Sequence, residues 1–212
     1  MDRKPSVEFV YPIFKLHNDQ QLVVDGRNRS RKEARTYYDA FMQTIPIRIM
    51  YLLSWHEEFY TGNPADDLRR IGGKVADYIS HEEFYYREDL TLTTKHGTEF
   101  QIKDRLCLYD HAKSMAMDMG LLLGLMLTNM NHPEIYWKLQ TTGGKTYFCY
   151  HQVVVNTPDL NPTDPLWWSA GIATSVAAKE RTPDIWADYY LRIEDIVEGR
   201  EPRSIARKKP KQ

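Results

Sequence analysis

Sixteen residues constrain this chain more than any others: Met115 to Met130, apolar almost throughout and interrupted by Asp118. A bilayer span needs about 20 predominantly apolar residues, so the stretch is too short and too broken to cross a membrane. It reads instead as a helix buried in a protein core. Leu106, Tyr109, Met115, Met119, Leu122, Leu123 and Met126 extend the helical spacing backwards. The expected element is therefore a helix over 103–130, apolar nearly all round in its second half and placed centrally.

Other helices are legible from their ends. Ser30 with Glu33 forms a capping-box pattern, and Ala34, Tyr37, Tyr38, Phe41, Met42 and Ile45 follow at helical spacing. Pro46 lacks a backbone N–H and is expected to break this helix, leaving a second from Ile47 to about Tyr60 that stops near Gly62. Asn63-Pro64 with Asp66 and Asp67 opens the next. Asp164-Pro165 and Thr182-Pro183 open two more, and Gly199 with Pro202 ends the last.

Strand signals are fewer. Residues 7–16 alternate as a short strand ended by Pro12. Leu90–Thr93 and Thr98–Ile102 alternate around Gly97 as a hairpin, and Ile135–Gln140 with Tyr147–Val155 suggests another. The expected fold class is α+β, mainly helical: about six helices around a central buried helix, with one or two small β-hairpins. Residues 1–198 read as a single globular domain and 199–212 as a basic, flexible tail.

Composition narrows the function. Hydrophobic residues at 42% and charged residues at 27% describe an ordinary globular protein, and a net charge of −1 argues against nucleic acid as the main partner. Two cysteines make no disulfide framework, and Met1–Pro5 begins no apolar leader, which together suggest a cytoplasmic setting. The charge is uneven, however. Residues 54–90 carry nine acidic and four basic residues, whereas 199–212 carry six basic residues and Glu201.

Four features are candidates for chemistry. His56-Glu57-Glu58-Phe59-Tyr60 recurs as His81-Glu82-Glu83-Phe84-Tyr85. Ligands on one helix face stand three or four apart, so adjacent His-Glu-Glu is a poor metal set. Acidic residues beside aromatic ones better suit an amphipathic surface for a basic protein. Cys107 with His111, and Cys149 with His151, are spaced for one helix face and one strand face; if they met they would build a tetrahedral zinc site. Free cysteines are more commonly small buried hydrophobes. Gly143-Gly144-Lys145-Thr146 resembles the end of a phosphate loop, but Leu139 stands where its first glycine should, and a strand follows instead of a helix. The basic tail lacks any aromatic stacking platform.

The residues thus point to a non-enzymatic protein-binding domain. Its partner-binding residues are expected to be Glu57, Glu58, Phe59, Tyr60, Glu82, Glu83, Tyr85, Tyr86 and Asp89, with no cofactor. An immunity- or antitoxin-like protein that neutralises a cationic toxin is one such protein. The alternatives are a metal-dependent enzyme or sensor built on Cys107, His111, Cys149 and His151, and a nucleic-acid-binding accessory protein.

Overall fold

The computed structural model describes residues 11–15, 26–93, 97–144, 149–158 and 164–205. Among them are five α-helices: α1 (Arg31–Trp55), α2 (Pro64–Ile79), α3 (Asp110–Thr128), α4 (Pro165–Ala177) and α5 (Ile185–Val197). Two antiparallel two-stranded sheets complete the fold: β1 (Tyr85–Thr93) with β2 (Glu99–Leu108), and β3 (Tyr136–Leu139) with β4 (Val153–Asn156). The class is α+β and mainly helical. No described helix is long and apolar enough to cross a membrane.

The apolar run forms α3, which packs against α1, α2, α4 and α5. From Met115 to Leu127 every residue but Leu125 is buried. Gly120 sets its closest approach to a neighbour, and Gly124 leaves room for the Trp137 ring, which a Cβ there would meet at 2.4 Å. A Cβ on Gly120 would lie 2.2 Å from the Pro165 carbonyl oxygen, so α3 and α4 touch backbone to backbone there. Trp186 of α5 donates its indole N–H to Ser169 of α4 at 2.8 Å, and Ser169 donates to the Ala116 carbonyl of α3 at 2.6 Å. The polar atoms of this three-helix junction are therefore satisfied internally.

The expected helix over 103–130 is corrected at its start. Residues 103–108 belong to β2, and α3 opens only at Asp110. Leu106 and Tyr109 fit helical spacing, but Leu106 and Leu108 fit strand spacing equally well. The Tyr109 amide settles the matter by bonding the Phe84 carbonyl at 3.0 Å, closing the sheet. The expected break at Pro46 does not occur either: α1 runs through it as one helix of 25 residues. Its buried stripe, including Tyr37, Phe41, Ile45, Ile49 and Leu52, is continuous across the proline, so packing outweighs the lost hydrogen bond. That continuity makes five helices of the expected six, and the helix ends at Trp55 instead of near Gly62.

Caps follow the sequence closely. The capping box of Ser30 and Glu33 forms, Asn63 caps α2, and Asp164 accepts from Leu166 and Trp167 at the start of α4. α5 begins at Ile185 with Asp184 before it, two residues later than Thr182-Pro183 suggests. Residues 11–15 form no strand; Tyr11 and Phe14 are buried against the helices, and residues 7–10 and 16 lie outside the described residues. Residues 149–152 make a turn before β4, and 145–148 are not described, which leaves Lys145 and Thr146 of the glycine loop outside the account. In the basic C-terminal segment Arg200 and Arg203 fold back onto Asp195 of α5, at 2.8 and 2.7 Å.

Candidate functional site

The most unusual element is the β1–β2 ribbon. Its register divides it in two. Near the body, Tyr85↔Leu108, Tyr86↔Cys107, Arg87↔Leu106 and Glu88↔Arg105 are paired; farther out, Leu90↔Ile102, Thr91↔Gln101, Leu92↔Phe100 and Thr93↔Glu99. Between them β1 supplies one residue, Asp89, and β2 supplies two, Lys103 and Asp104, which is a β-bulge. Asp104 carries the extra residue with φ of 55°, in the left-handed region that Asp tolerates. Its amide donates to the Asp89 carboxylate at 2.9 Å, and Arg87 bonds its carboxylate at 2.7 Å.

Alternation places Tyr86, Glu88, Leu90 and Leu92 of β1 on one side, facing Cys107, Arg105, Ile102 and Phe100 of β2 across the pairs. The outer half of that side is wholly apolar, yet it is uncovered. Leu92, Phe100 and Ile102 are 47%, 55% and 43% exposed. The opposite side of the outer half carries Thr91, Thr93, Glu99 and Gln101. An isolated two-stranded ribbon with an open apolar face is marginal in water unless something covers it.

At the root, the same side of the ribbon faces α4 across a cleft of about 360 Å³. Tyr86, Glu88, Arg105 and Cys107 line one wall, Trp167 and Gly171 the other, with Lys113 between. The Lys113 ammonium sits 5.4 Å from the Trp167 ring centroid. The Cys107 thiol donates to Glu88 at 3.1 Å. Burial and that bond to Glu88 hold the thiol above its ordinary pKa, so it is not poised as a thiolate nucleophile.

The residues singled out in the sequence fall in two places. Glu57–Tyr60 belong to the loop after α1, which runs back along α2: Lys74 donates to the His56 carbonyl, Arg70 to the Phe59 carbonyl, and Thr61 to Asp67. Glu82–Asp89 begin beyond the C-terminus of α2 and lead into the ribbon. Phe59 is 69% exposed, and Tyr60, Tyr86, Glu57 and Glu82 are also exposed. Glu58 is already neutralised by Arg70 and Lys74. Asp89 is engaged in the bulge, Tyr85 is half-buried, and Phe84, the partner of Tyr85 in the motif, is core. Glu83 is half-buried with one carboxylate oxygen unpartnered.

The four Cys and His residues do not share a site, and the expectation that they lie in pairs on a helix face and a strand face is corrected. Cys107 is in β2 and His111 in the first turn of α3, where its Nδ1 donates to the Tyr11 carbonyl. Cys149 and His151 occupy the turn before β4, with the His151 ring bonded to the Arg29 carbonyl at 2.9 Å and φ of 59°. Among the described residues no three His, Cys, Asp or Glu side chains are grouped to hold a metal.

What sequence reasoning missed is a buried ion pair. Arg48 of α1 binds Asp118 of α3 through Nε and Nη2, at 2.9 and 2.7 Å, and Tyr11 donates its hydroxyl to the same carboxylate at 2.5 Å. Arg48 also donates to the Pro12 and Ile13 carbonyls. The polar interruption in the apolar run is thus the anchor for residues 11–14. Burial pushes the Asp118 carboxyl up to about 6, against the opposing pull of Arg48 and Tyr11. The network is closed to solvent and every partner is internal, so it holds the fold together and offers nothing to a ligand. No known protein family, curated protein or solved structure matches this chain.

Proposed function

We propose that the chain is a protein-binding domain that presents its β1–β2 ribbon, with the adjoining acidic and aromatic residues, to a basic protein. The carrying observation is the uncovered apolar face of Leu92, Phe100 and Ile102 on a ribbon braced by a bulge. Aromatic and aliphatic anchors of that kind dominate binding energy where a partner desolvates them. Exposed Glu57, Glu82 and Glu88, with Phe59, Tyr60 and Tyr86, supply the acidic rim and further anchors. An immunity- or antitoxin-like role against a cationic protein is the proposed setting. Glu58 and Asp89 serve this surface indirectly, by fixing the loop and the bulge.

The test compares immobilised wild-type protein with a Phe100→Asp, Ile102→Asp variant in the native lysate. A basic protein retained by wild type, released by salt and lost from the variant supports the reading. Equal retention by both would place the surface elsewhere. Glu82→Lys with Glu83→Lys should slow association, while Phe59→Ala should speed release.

The cleft favours a second reading, in which a small anionic ligand sits between Arg105 and Lys113 against Trp167. Thermal stabilisation of the protein by such an anion, lost in Lys113→Ala, would support it.

A further inference from the structure

Among the described residues the outer edge of β2 is open: the sheet has the order β1-β2 and ends there. Natural sheets blunt such edges with charges, bulges or prolines, because open N–H and C=O groups template pairing with another chain. Here the bulge at Lys103-Asp104 ends the regular stretch, and the residues before it read Glu99-Phe100-Gln101-Ile102-Lys103. Those five residues are self-complementary when a second copy lies antiparallel with Gln101 opposite Gln101. Phe100 then faces Ile102 of the second copy, and Glu99 faces Lys103, each pair occurring twice by symmetry. In antiparallel pairs directly opposite side chains share a face. The Phe100–Ile102 pairs therefore fall on the apolar side and the Glu99–Lys103 pairs on the polar side.

We infer that β2 pairs with β2 of a second copy of this chain about Gln101, joining two ribbons into a four-stranded antiparallel sheet β1-β2-β2-β1.

The register is specified by charge. Moving the two-fold axis to Phe100 sets Glu99 against Gln101 and makes no ion pair. Moving it to Ile102 sets Gln101 against Lys103 and Phe100 against Asp104, and its one opposite-charge pair, Glu99 with Arg105, lies across the bulge from the regular stretch. An axis at Lys103 opposes two lysines. Neither Glu99 nor Lys103 has an ion-pair partner within the described chain, so both are free to meet the second copy. The edge of β1 offers no equivalent. Only an axis at Glu88 pairs opposite charges there, Arg87 with Asp89, and it sets Glu88 against itself. Arg87 and Asp89 are moreover already bound to Asp104.

The pairing also explains the amphipathic outer ribbon. Leu90, Leu92, Phe100 and Ile102 from both copies become one apolar platform of eight side chains, twice the width that either chain presents alone. Such a platform is the surface that the proposed partner would cover. The dimer does not depend on that reading, because edge pairing uses backbone groups and the Glu99–Lys103 contacts and leaves the apolar face free.

Sedimentation velocity on the purified full chain tests it, at concentrations up to about 1 mM, the weak limit of specific association. Wild type should sediment as a monomer–dimer equilibrium. Glu99→Lys alone and Lys103→Glu alone should each weaken self-association by about tenfold or more, since each turns two attractive cross-strand pairs into repulsive ones. An equimolar mixture of the two variants should recover a dimer, because every cross-strand charge pair is again opposite in the heterodimer. Circular dichroism checks that both exposed variants fold. A wild type that stays monomeric throughout overturns the inference while leaving the apolar face available to a different protein. A dimer that both variants leave unchanged overturns it too, and assigns the contact to another surface, including face-to-face packing of two ribbons. Failure of the mixture to exceed the separate variants would exclude the isologous register.

Discussion

The body and the ribbon invert each other's chemistry. In α3 a carboxylate, Asp118, lies in the most apolar stretch of the chain, and two partners from distant segments satisfy it. In the ribbon, three large apolar side chains are exposed on a strand pair whose root, among the described residues, faces α4. Buried polar groups are paired in folded proteins almost without exception, whereas large exposed apolar patches on a monomer are uncommon. The two anomalies therefore have different resolutions. The first is closed within the chain and is a matter of stability. The second stays open among the described residues, and the proposed protein partner is what would close it.

The largest effect is expected where the body's own closure is broken. Asp118→Ala leaves the Arg48 guanidinium buried without its carboxylate, and such losses cost about 3–5 kcal/mol. Chemical denaturation should show the loss without a new intermediate. The double variant Arg48→Met, Asp118→Leu removes both charges and should recover most of it. If the single and double variants are equally unstable, the pair itself, and not the stranded charge, is what matters. Gly120→Ala comes next. Its methyl would meet the Pro165 carbonyl far inside contact distance, so α3 and α4 must separate, at about 2–3 kcal/mol in denaturant unfolding.

A smaller effect concerns pH. Asp164 caps α4 and is buried, which pushes its carboxyl up to about 6 from an ordinary 3.8. The folded chain then holds a proton between about pH 4 and 6 that the unfolded chain has released. Stability from this group is present below about pH 4 and is lost as pH rises through 6. Relative to Asp164→Asn, wild type should lose on the order of 2 kcal/mol between pH 4 and 7. Urea midpoints measured across that range for both proteins check the sign. A difference that grows with pH would mean the carboxylate is stabilised as an anion.

The smallest effect belongs to the ribbon. Phe100→Ser and Ile102→Thr should change the melting temperature of dilute protein by amounts equivalent to less than about 0.5 kcal/mol, as surface substitutions do. A core leucine such as Leu122, truncated to Ala, should cost about 2–5 kcal/mol by comparison. A large destabilisation from the ribbon variants would show that the body depends on it.

The contrast also explains what could be read from the chain. Caps were legible because Ser30, Asn63 and Asp164 act through near neighbours. The burial of Met115–Leu127 was legible because no polar face exists to leave outside. The role of Asp118 was not, since its partners stand 70 and 107 residues away and no spacing rule links them. Pro46 misled because its local penalty is real but smaller than the packing on either side. The helix-to-strand change at Leu106–Leu108 misled because Leu106 fits helical spacing with Tyr109 and strand spacing with Leu108. Alternation at Leu90–Leu92 and Phe100–Ile102 did announce a hairpin. That its apolar face stays uncovered depends on the bulge and on what the root packs against, and only the fold shows this. The exposed aromatics Phe59, Tyr60 and Tyr86 were legible as surface candidates; the ribbon apolar trio was not placed among them.

The central claim is that α3 is complete within one chain and the outer ribbon is not. Amide hydrogen exchange measured at low and high protein concentration tests it most directly. The account predicts that Leu121–Leu127 exchange only with global unfolding and are indifferent to concentration, while Glu99–Lys103 gain protection as concentration rises. Slow, concentration-independent exchange throughout Glu99–Lys103 would contradict it, since the edge would then be closed without a second copy.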